Sequence, residues 1–215
     1  MLAQIVLFDE FDLLDVVAPF EIFTAAGEYC DGQITVELVS AEGARQVPSG
    51  LTGVPLPASG GIDLERADLL IVPGAAGKVN SDGPDAVPAI LGRALETGLP
   101  DILGKALVKP GLTVGTVCGG SLLLGLAGLL ADRPAVTHHL GMEVLAATGA
   151  VPIKARVVDD GNLVTAGGVT SGLDLGLYLV ERELGPRIAH MVETLFEYER
   201  RGTVWLARGL EPAIK

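Results

Sequence analysis

The sequence predicts an α/β protein built on a mainly parallel sheet. Two observations carry this. Apolar runs of strand length alternate with segments of helical periodicity along most of the chain. Most of those strands are apolar on both faces, the pattern of strands covered by helices above and below. A third observation places a reactive group on that frame. In GLTVGTVCGGSLLLGLAGLL, residues 111 to 130, a strand-type run meets a cysteine, two glycines and a serine, then an apolar helical segment.

The elements follow in order. LAQIVLF (2–8) is a near-continuous apolar strand, and LDVVAPFEIFTAA (14–26) a helix with Gly27 as its stop. QITVELVS (33–40) alternates and is a second strand. RQVPSGLTGVPLPASGG (45–61), broken by glycine and proline, suits short strands or a hairpin outside the main sheet. ADLLIVPGAAG (67–77) is a buried strand running into a loop of small residues. Residues 84–97 read as a helix entered through Pro84. GLPDILGKALVKPG (98–111) reads as a short helix or a loop. After the strand at 112–117 and the helix at 119–130 come a short strand in RPAVTHH (133–139) and a short helix at 140–147. IKARVVDDGNLVTAGG (153–168) gives two strands around a DDGN turn. Residues 171–184 and 186–200 read as the two final helices. Residues 1–200 are expected to form one domain, with 201–215 a tail or dimer element.

Composition narrows the function classes. The chain has 215 residues, 49% hydrophobic and 20% charged, which argues against disorder. Fifteen lysines and arginines against 27 acids give a net charge of −12, a poor match for nucleic acid. Two cysteines, Cys30 and Cys118, do not suggest a disulfide framework. The start lacks a basic n-region, and the apolar run after Ser121 is too short to span a membrane. A cytoplasmic protein with no membrane partner is expected.

Cys118 falls where a parallel strand ends, the edge at which ligands gather in such sheets. A helix starting there offers free N–H groups and the positive end of its dipole, which favour thiolate over thiol. The alternative is a cysteine that merely fills space. A nucleophile also needs donors for the charge it creates. Gly74 and Ala75, in the small-residue loop, and Gly119 offer backbone N–H groups. Among Asp9, Glu10, Asp12 and Asp15, only Asp15 enters an apolar helix directly, as either a helix-start carboxylate or a pocket acid. His138 and His139 lie near the next strand's end and are accessory candidates for a general base. Thr170 or Ser171 caps the following helix with Asp174 near the third position, a capping-box-like pattern, and Thr170 is also a candidate pocket residue. No metal-ligand spacing, phosphate loop or GxGxxG follows from the chain, so no cofactor is expected.

The stretches FDEFDLLDVVAPFEIF, LLIVPGAAG, VGTVCGGSLLLGLAGLL, AVTHHLG and VVDDGNLVTAGGVTSGLD together resemble the ThiJ/PfpI superfamily of glutamine-amidotransferase-like domains, and within it the bacterial isocyanide hydratase branch. The resemblance implies a flavodoxin-like three-layer α/β sandwich, commonly dimeric, with Cys118 in a strained nucleophile elbow. It implies a pocket acid four residues before a proline, which is Asp15 before Pro19. The hydratases carry CTGS where this chain has CGGS, so Gly119 keeps the N–H and lacks a hydroxyl. The 98–111 region is longer than theirs. The implied activity is hydration of an organic isocyanide to an N-substituted formamide through Cys118, with a small-molecule substrate. Glyoxalase-like carbonyl chemistry and a redox or small-molecule sensor are the alternatives. Similar domains occur fused to DNA-binding modules, but the acidic charge and the end at Lys215 argue against direct DNA control.

Overall fold

A computed structural model describes residues 1–79, 81–210 and 213. The first half runs β1 (Leu2–Leu7), α1 (Leu13–Tyr29), β2 (Thr35–Ser40), β3 (Arg45–Pro48), β4 (Pro55–Ala58), β5 (Gly60–Gly61), β6 (Leu69–Val72), α2 (Val87–Leu95) and α3 (Leu99–Val108). The second half runs β7 (Thr113–Val117), α4 (Gly120–Leu126), β8 (Pro134–Ala135), α5 (Met142–Ala147), β9 (Val151–Pro152), β10 (Val157–Asp159), β11 (Leu163–Ala166), α6 (Ser171–Leu184), α7 (Pro186–Phe196) and β12 (Trp205–Leu206).

Among the described residues, the main sheet has the order β12-β10-β11-β7-β6-β1-β2-β5. Every neighbouring pair is parallel except β10–β11, which turns back through the DDGN hairpin. Helices α1, α6 and α7 pack together, as do α2, α3 and α4, and the two layers flank the sheet. All residues of β1, β6 and β11 are buried, and apart from Gln4 and Thr165 they are apolar, which is why these strands read as apolar runs. The hairpin β3–β4 stands apart as a two-stranded antiparallel sheet, as its Pro/Gly pattern predicts, while β5 adds to the main sheet's edge.

Several boundaries differ from the sequence reading. Gly27 does not stop α1, which runs on to Tyr29. A β-carbon on Gly27 would stand 2.7 Å from the Ile34 carbonyl oxygen, so the glycine serves a close approach of the returning chain. The left-handed residues that turn the chain are Asp31 and Gly32. Helix α2 begins at Val87 with Pro88 in its first turn, leaving Pro84 outside. The 98–111 stretch resolves as helix α3, with Pro100 in its first turn. Helix α4 ends at Leu126, short of Leu130, and only Pro134–Ala135 of the 133–139 stretch pairs as strand. The last helix ends at Phe196. Within the expected tail, Trp205–Leu206 lies parallel to β10 and closes that edge of the sheet. No helix among the described residues is long and apolar enough to cross a membrane.

Candidate active site

The strand register brings the site together. Val72 pairs with Thr116, and Ala166 with Val117, so β6, β7 and β11 end side by side. The residues that follow, Gly74, Cys118 and Gly167, emerge at one edge. From β1, the chain enters α1, whose first turn carries Asp15 to the same edge.

Cys118 adopts φ = +54°, a left-handed conformation that a side chain rarely takes and that costs about 1–3 kcal/mol. The surroundings hold it there. Its N–H donates to the Ala166 carbonyl at 3.1 Å, and its carbonyl accepts from Thr137 Oγ1 at 2.7 Å. Beneath it, Thr116 Oγ1 donates to Ser121 Oγ, which donates to the Val136 carbonyl, both at 2.6 Å. Gly120 follows because a β-carbon there would fall 2.2 Å from the Val72 carbonyl oxygen. These contacts turn the strand into α4 in two residues and leave the thiol on the bend.

Asp15 is fully buried, and Cys118 is 8% exposed. Asp12, not Asp15, caps α1, accepting from the Leu14 N–H at 3.0 Å. Asp15 therefore does not satisfy the helix start. Its Oδ2 accepts from the Gly74 N–H at 2.8 Å, and its Oδ1 has no partner among the described residues. Burial first, and the neighbouring Asp12 charge second, push its carboxyl well above the usual range, against the pull of the Gly74 amide.

The Cys118 thiol is also pushed up. Burial is the main cause, the Asp15 charge adds to it, and the Gly119 N–H works against both. This corrects the expectation of a thiolate stabilised by the helix. Helix α4 has only seven residues, and desolvation outweighs its dipole. Both groups being raised has a chemical consequence. Two negative charges are strongly disfavoured here, but moving the thiol proton to the Asp15 carboxylate leaves the total at one.

The donors differ in part from expectation. The Gly74 N–H is committed to Asp15 and is not free for a substrate. The Gly119 N–H serves the sulfur. The Ala75 N–H donates to no partner among the described residues and is the free amide at this edge. It lies 3.7 Å from the point where a Gly119 β-carbon would stand.

Three loops lock this arrangement. Ala76 N–H donates to the Glu10 carbonyl, Asp12 N–H to that of Gly74, Glu10 N–H to that of Pro48 and Gly50 N–H to that of Phe11. The segments at 10–12, 48–50 and 74–76 are thus zipped together beside Asp15. A β-carbon on Gly50 would fall 1.9 Å from the Ala76 carbonyl oxygen.

The other sequence candidates lie further out. His138 is half-buried, and its Nδ1 accepts from the Leu140 N–H at 3.3 Å. Burial and His139 lower its proton affinity, against the pull of the Asp12 charge. His139 is exposed. Neither hydrogen-bonds Cys118 among the described residues. Thr170 is exposed, and its hydroxyl accepts from Arg156 at 2.7 Å. No capping box forms: Asp174 instead accepts from Arg156 Nε at 2.7 Å, Tyr198 Oη at 3.0 Å and the Arg201 N–H at 2.8 Å. Sequence reasoning passed over Thr137 as an elbow clamp. Its signal was weak, a threonine directly before a histidine pair.

Open clefts lie away from this edge. One of about 460 Å³, between α6, α7 and residues 199–206, is lined by Asp174, Tyr178, Glu193 and Arg200. Its carboxylates already have partners, Asp174 as described above and Glu193 with Arg200 Nε at 2.7 Å, so the chemistry and not the volume of a hollow marks the site.

Two glycines at the edge give a contrast. A β-carbon on Gly74 would stand 2.5 Å from the Gly119 nitrogen and 2.9 Å from Asp15 Oδ2. One on Gly119 would meet nothing nearer than 3.4 Å, and Gly119 has helical φ, −70°. Gly74→Ala is expected to cost about 1–3 kcal/mol. Gly119→Ala should gain about 0.4–1 kcal/mol. Paired urea melts check both signs.

Comparison with known proteins bears on the family and the fold. The chain is 32% identical over 193 residues to isonitrile hydratase from Pseudomonas putida, covering 89% of this chain and 76% of that protein. A ThiJ/PfpI family protein from Pseudomonas syringae has a similar structure, with a TM-score of 0.75 at 26% identity, covering 94% of this chain and 76% of the other. Drosophila melanogaster DJ-1beta shares the fold, with a TM-score of 0.73 at 17% identity, over 92% and 98% of the two chains. The model of the DJ-1/PfpI family matches residues 1–182. A cysteine elbow facing a buried carboxyl, at the parallel edge of such a sheet, is thus found in a chain that belongs to the DJ-1/PfpI family.

Proposed function

We propose that this protein is a cysteine-dependent, isocyanide hydratase-like lyase that converts a small organic isocyanide to an N-substituted formamide. The observation that carries this is the buried Asp15–Cys118 pair, one group on each side of the Gly74 loop. The hydratase similarity over most of the chain supports the same reading.

The chemistry follows from the proton count. Asp15 takes the thiol proton as sulfur bonds to the terminal carbon of R–N≡C. The same proton passes from Asp15 to that carbon, giving the thioimidate R–N=CH–S–Cys118. Water adds to the carbon, nitrogen gains a proton, and the carbon–sulfur bond breaks. The products are R–NH–CHO and the free thiol. The Ala75 N–H is positioned to orient the substrate or meet developing charge, and the Gly119 N–H supports the sulfur whenever it is anionic. Near-complete burial of both groups suits a narrow substrate whose reacting end is two atoms long. Residues 1–200 would act as one cytoplasmic domain, paired with a second copy. The glyoxalase-like alternative draws no support from His138 or His139, since neither hydrogen-bonds the sulfur among the described residues.

Incubating purified protein with small aryl and alkyl isocyanides tests this. Mass spectrometry should show the matching formamides. Their absence, with Cys118 demonstrably reduced, rejects the assignment.

A further inference from the structure

A second unpartnered polar atom lies next to the elbow. Ser171 is fully buried at the start of α6, and its Oγ has no hydrogen-bond partner among the described residues. A buried hydroxyl left alone costs about 1–3 kcal/mol, so such groups ordinarily find a partner, protein or water. The surroundings show where it would sit. The point at which Gly167 would carry a β-carbon is 3.6 Å from Ser171 Oγ, 3.7 Å from the Thr137 carbonyl oxygen and 3.8 Å from a Val136 methyl. That carbonyl accepts none of the hydrogen bonds found among the described residues. The glycine thus leaves a small hollow with a hydroxyl and a carbonyl oxygen on its walls. A water needs about that space and two to four polar partners.

The hollow also borders the catalytic bend. Thr137 holds the Cys118 carbonyl, and Ala166, the neighbour of Gly167, holds the Cys118 N–H. Across β7, Gly172 stands against Ala18, Pro19 and Val117, its β-carbon position 3.2 Å from the first two. Ala18 and Pro19 lie one turn after Asp15, on the same face of α1. Ser171 and Asp15 therefore flank the carboxyl end of β7 from two helices. Both are fully buried.

We propose that Ser171 Oγ, the Thr137 carbonyl and the space beside Gly167 form a site for one water molecule, and that this water is the second reactant. The role as reactant rests on the hydratase reading; the water site itself does not. Ser171 acts as a positioning residue. The water oxygen bonds to the thioimidate carbon, one of its protons passes to nitrogen, and the other returns to sulfur as the carbon–sulfur bond breaks.

A crystal structure of the wild-type protein tests the site without any substrate. An ordered water within hydrogen-bond distance of Ser171 Oγ and the Thr137 carbonyl is expected; an empty hollow overturns the proposal. Gly167→Ala fills the space with a methyl group. With an isocyanide, it should slow formamide release roughly 10²-fold while the Cys118 adduct accumulates in the mass spectrum and alkylation of Cys118 by iodoacetamide keeps its wild-type rate. Wild-type turnover in this variant overturns the reactant role. Ser171→Ala is the check on folding. It should lower or leave unchanged the melting temperature, because a water-bonded hydroxyl is lost; a higher melting temperature means the hydroxyl had no partner and sinks the site. If wild-type protein forms neither adduct nor formamide, the hydratase reading fails, and the water site is judged by the crystal structure and Ser171→Ala alone.

Discussion

Cys118→Ala is expected to bring isocyanide turnover down to the uncatalysed background, a loss on the order of 10⁴-fold or more. No other group among the described residues can replace the sulfur. Cys30, the second thiol, is at the far end of α1 as its C-terminal cap. The stability effect separates this position from an ordinary core cysteine. At φ = +54° any side chain strains the backbone, and alanine keeps that strain. Glycine relieves it. Cys118→Gly should therefore be inactive yet more stable than Cys118→Ala by about 1 kcal/mol, or about 2–4 °C in melting temperature for a chain of this size. Formamide assays and thermal melts on the two variants read the prediction. Equal melting temperatures would mean that the bend is unstrained.

Asp15→Asn has the second large effect, with activity and stability moving in opposite directions. Turnover should fall by about 10²- to 10⁴-fold, because an amide neither takes the thiol proton nor delivers it to carbon. The asparagine oxygen can still accept the Gly74 N–H, so the loop stays in place. In the folded protein the Asp15 carboxyl binds its proton more tightly than in the unfolded chain. The folded state thus holds more protons, and stability falls as pH rises from about 4, the unfolded value, through the raised folded one. Asparagine removes that slope. The variant should melt higher than wild type at neutral pH, with the difference shrinking towards pH 4. Urea titrations at several pH values check the sign; a variant less stable at pH 7 than at pH 4 relative to wild type refutes it.

The architecture was legible because buried parallel strands are mostly apolar on both faces, as β6 is throughout and β1 and β11 are apart from Gln4 and Thr165. Cys118 was legible because a thiol between a strand and two glycines has few other reasons to be there. Asp15 was only half legible. Its helix-start position was visible, but its burial depends on Gly74, 59 residues away, turning an amide towards it. The thiol's proton affinity was misjudged for a related reason. A dipole can be read from local sequence, whereas desolvation is set by everything that packs overhead. Ser171 illustrates the same limit. Its place at a helix start suggested a cap, and only the fold shows that its hydroxyl faces a hollow formed by Thr137 and Gly167. The end of α1 escaped local reading too, since Gly27 answers to the approach of Ile34.

The zipped segments at 10–12, 48–50 and 74–76 bear on how such a protein diverges. The β3–β4 hairpin contributes no reacting atom, yet it supports the backbone that aims the Ala75 amide and fixes the acid. Lineages that retune substrate preference would then have to exchange the three stretches as one cassette, and a chimera that borrows only the 74–76 stretch from a relative would inherit a mismatched seam instead of a new specificity.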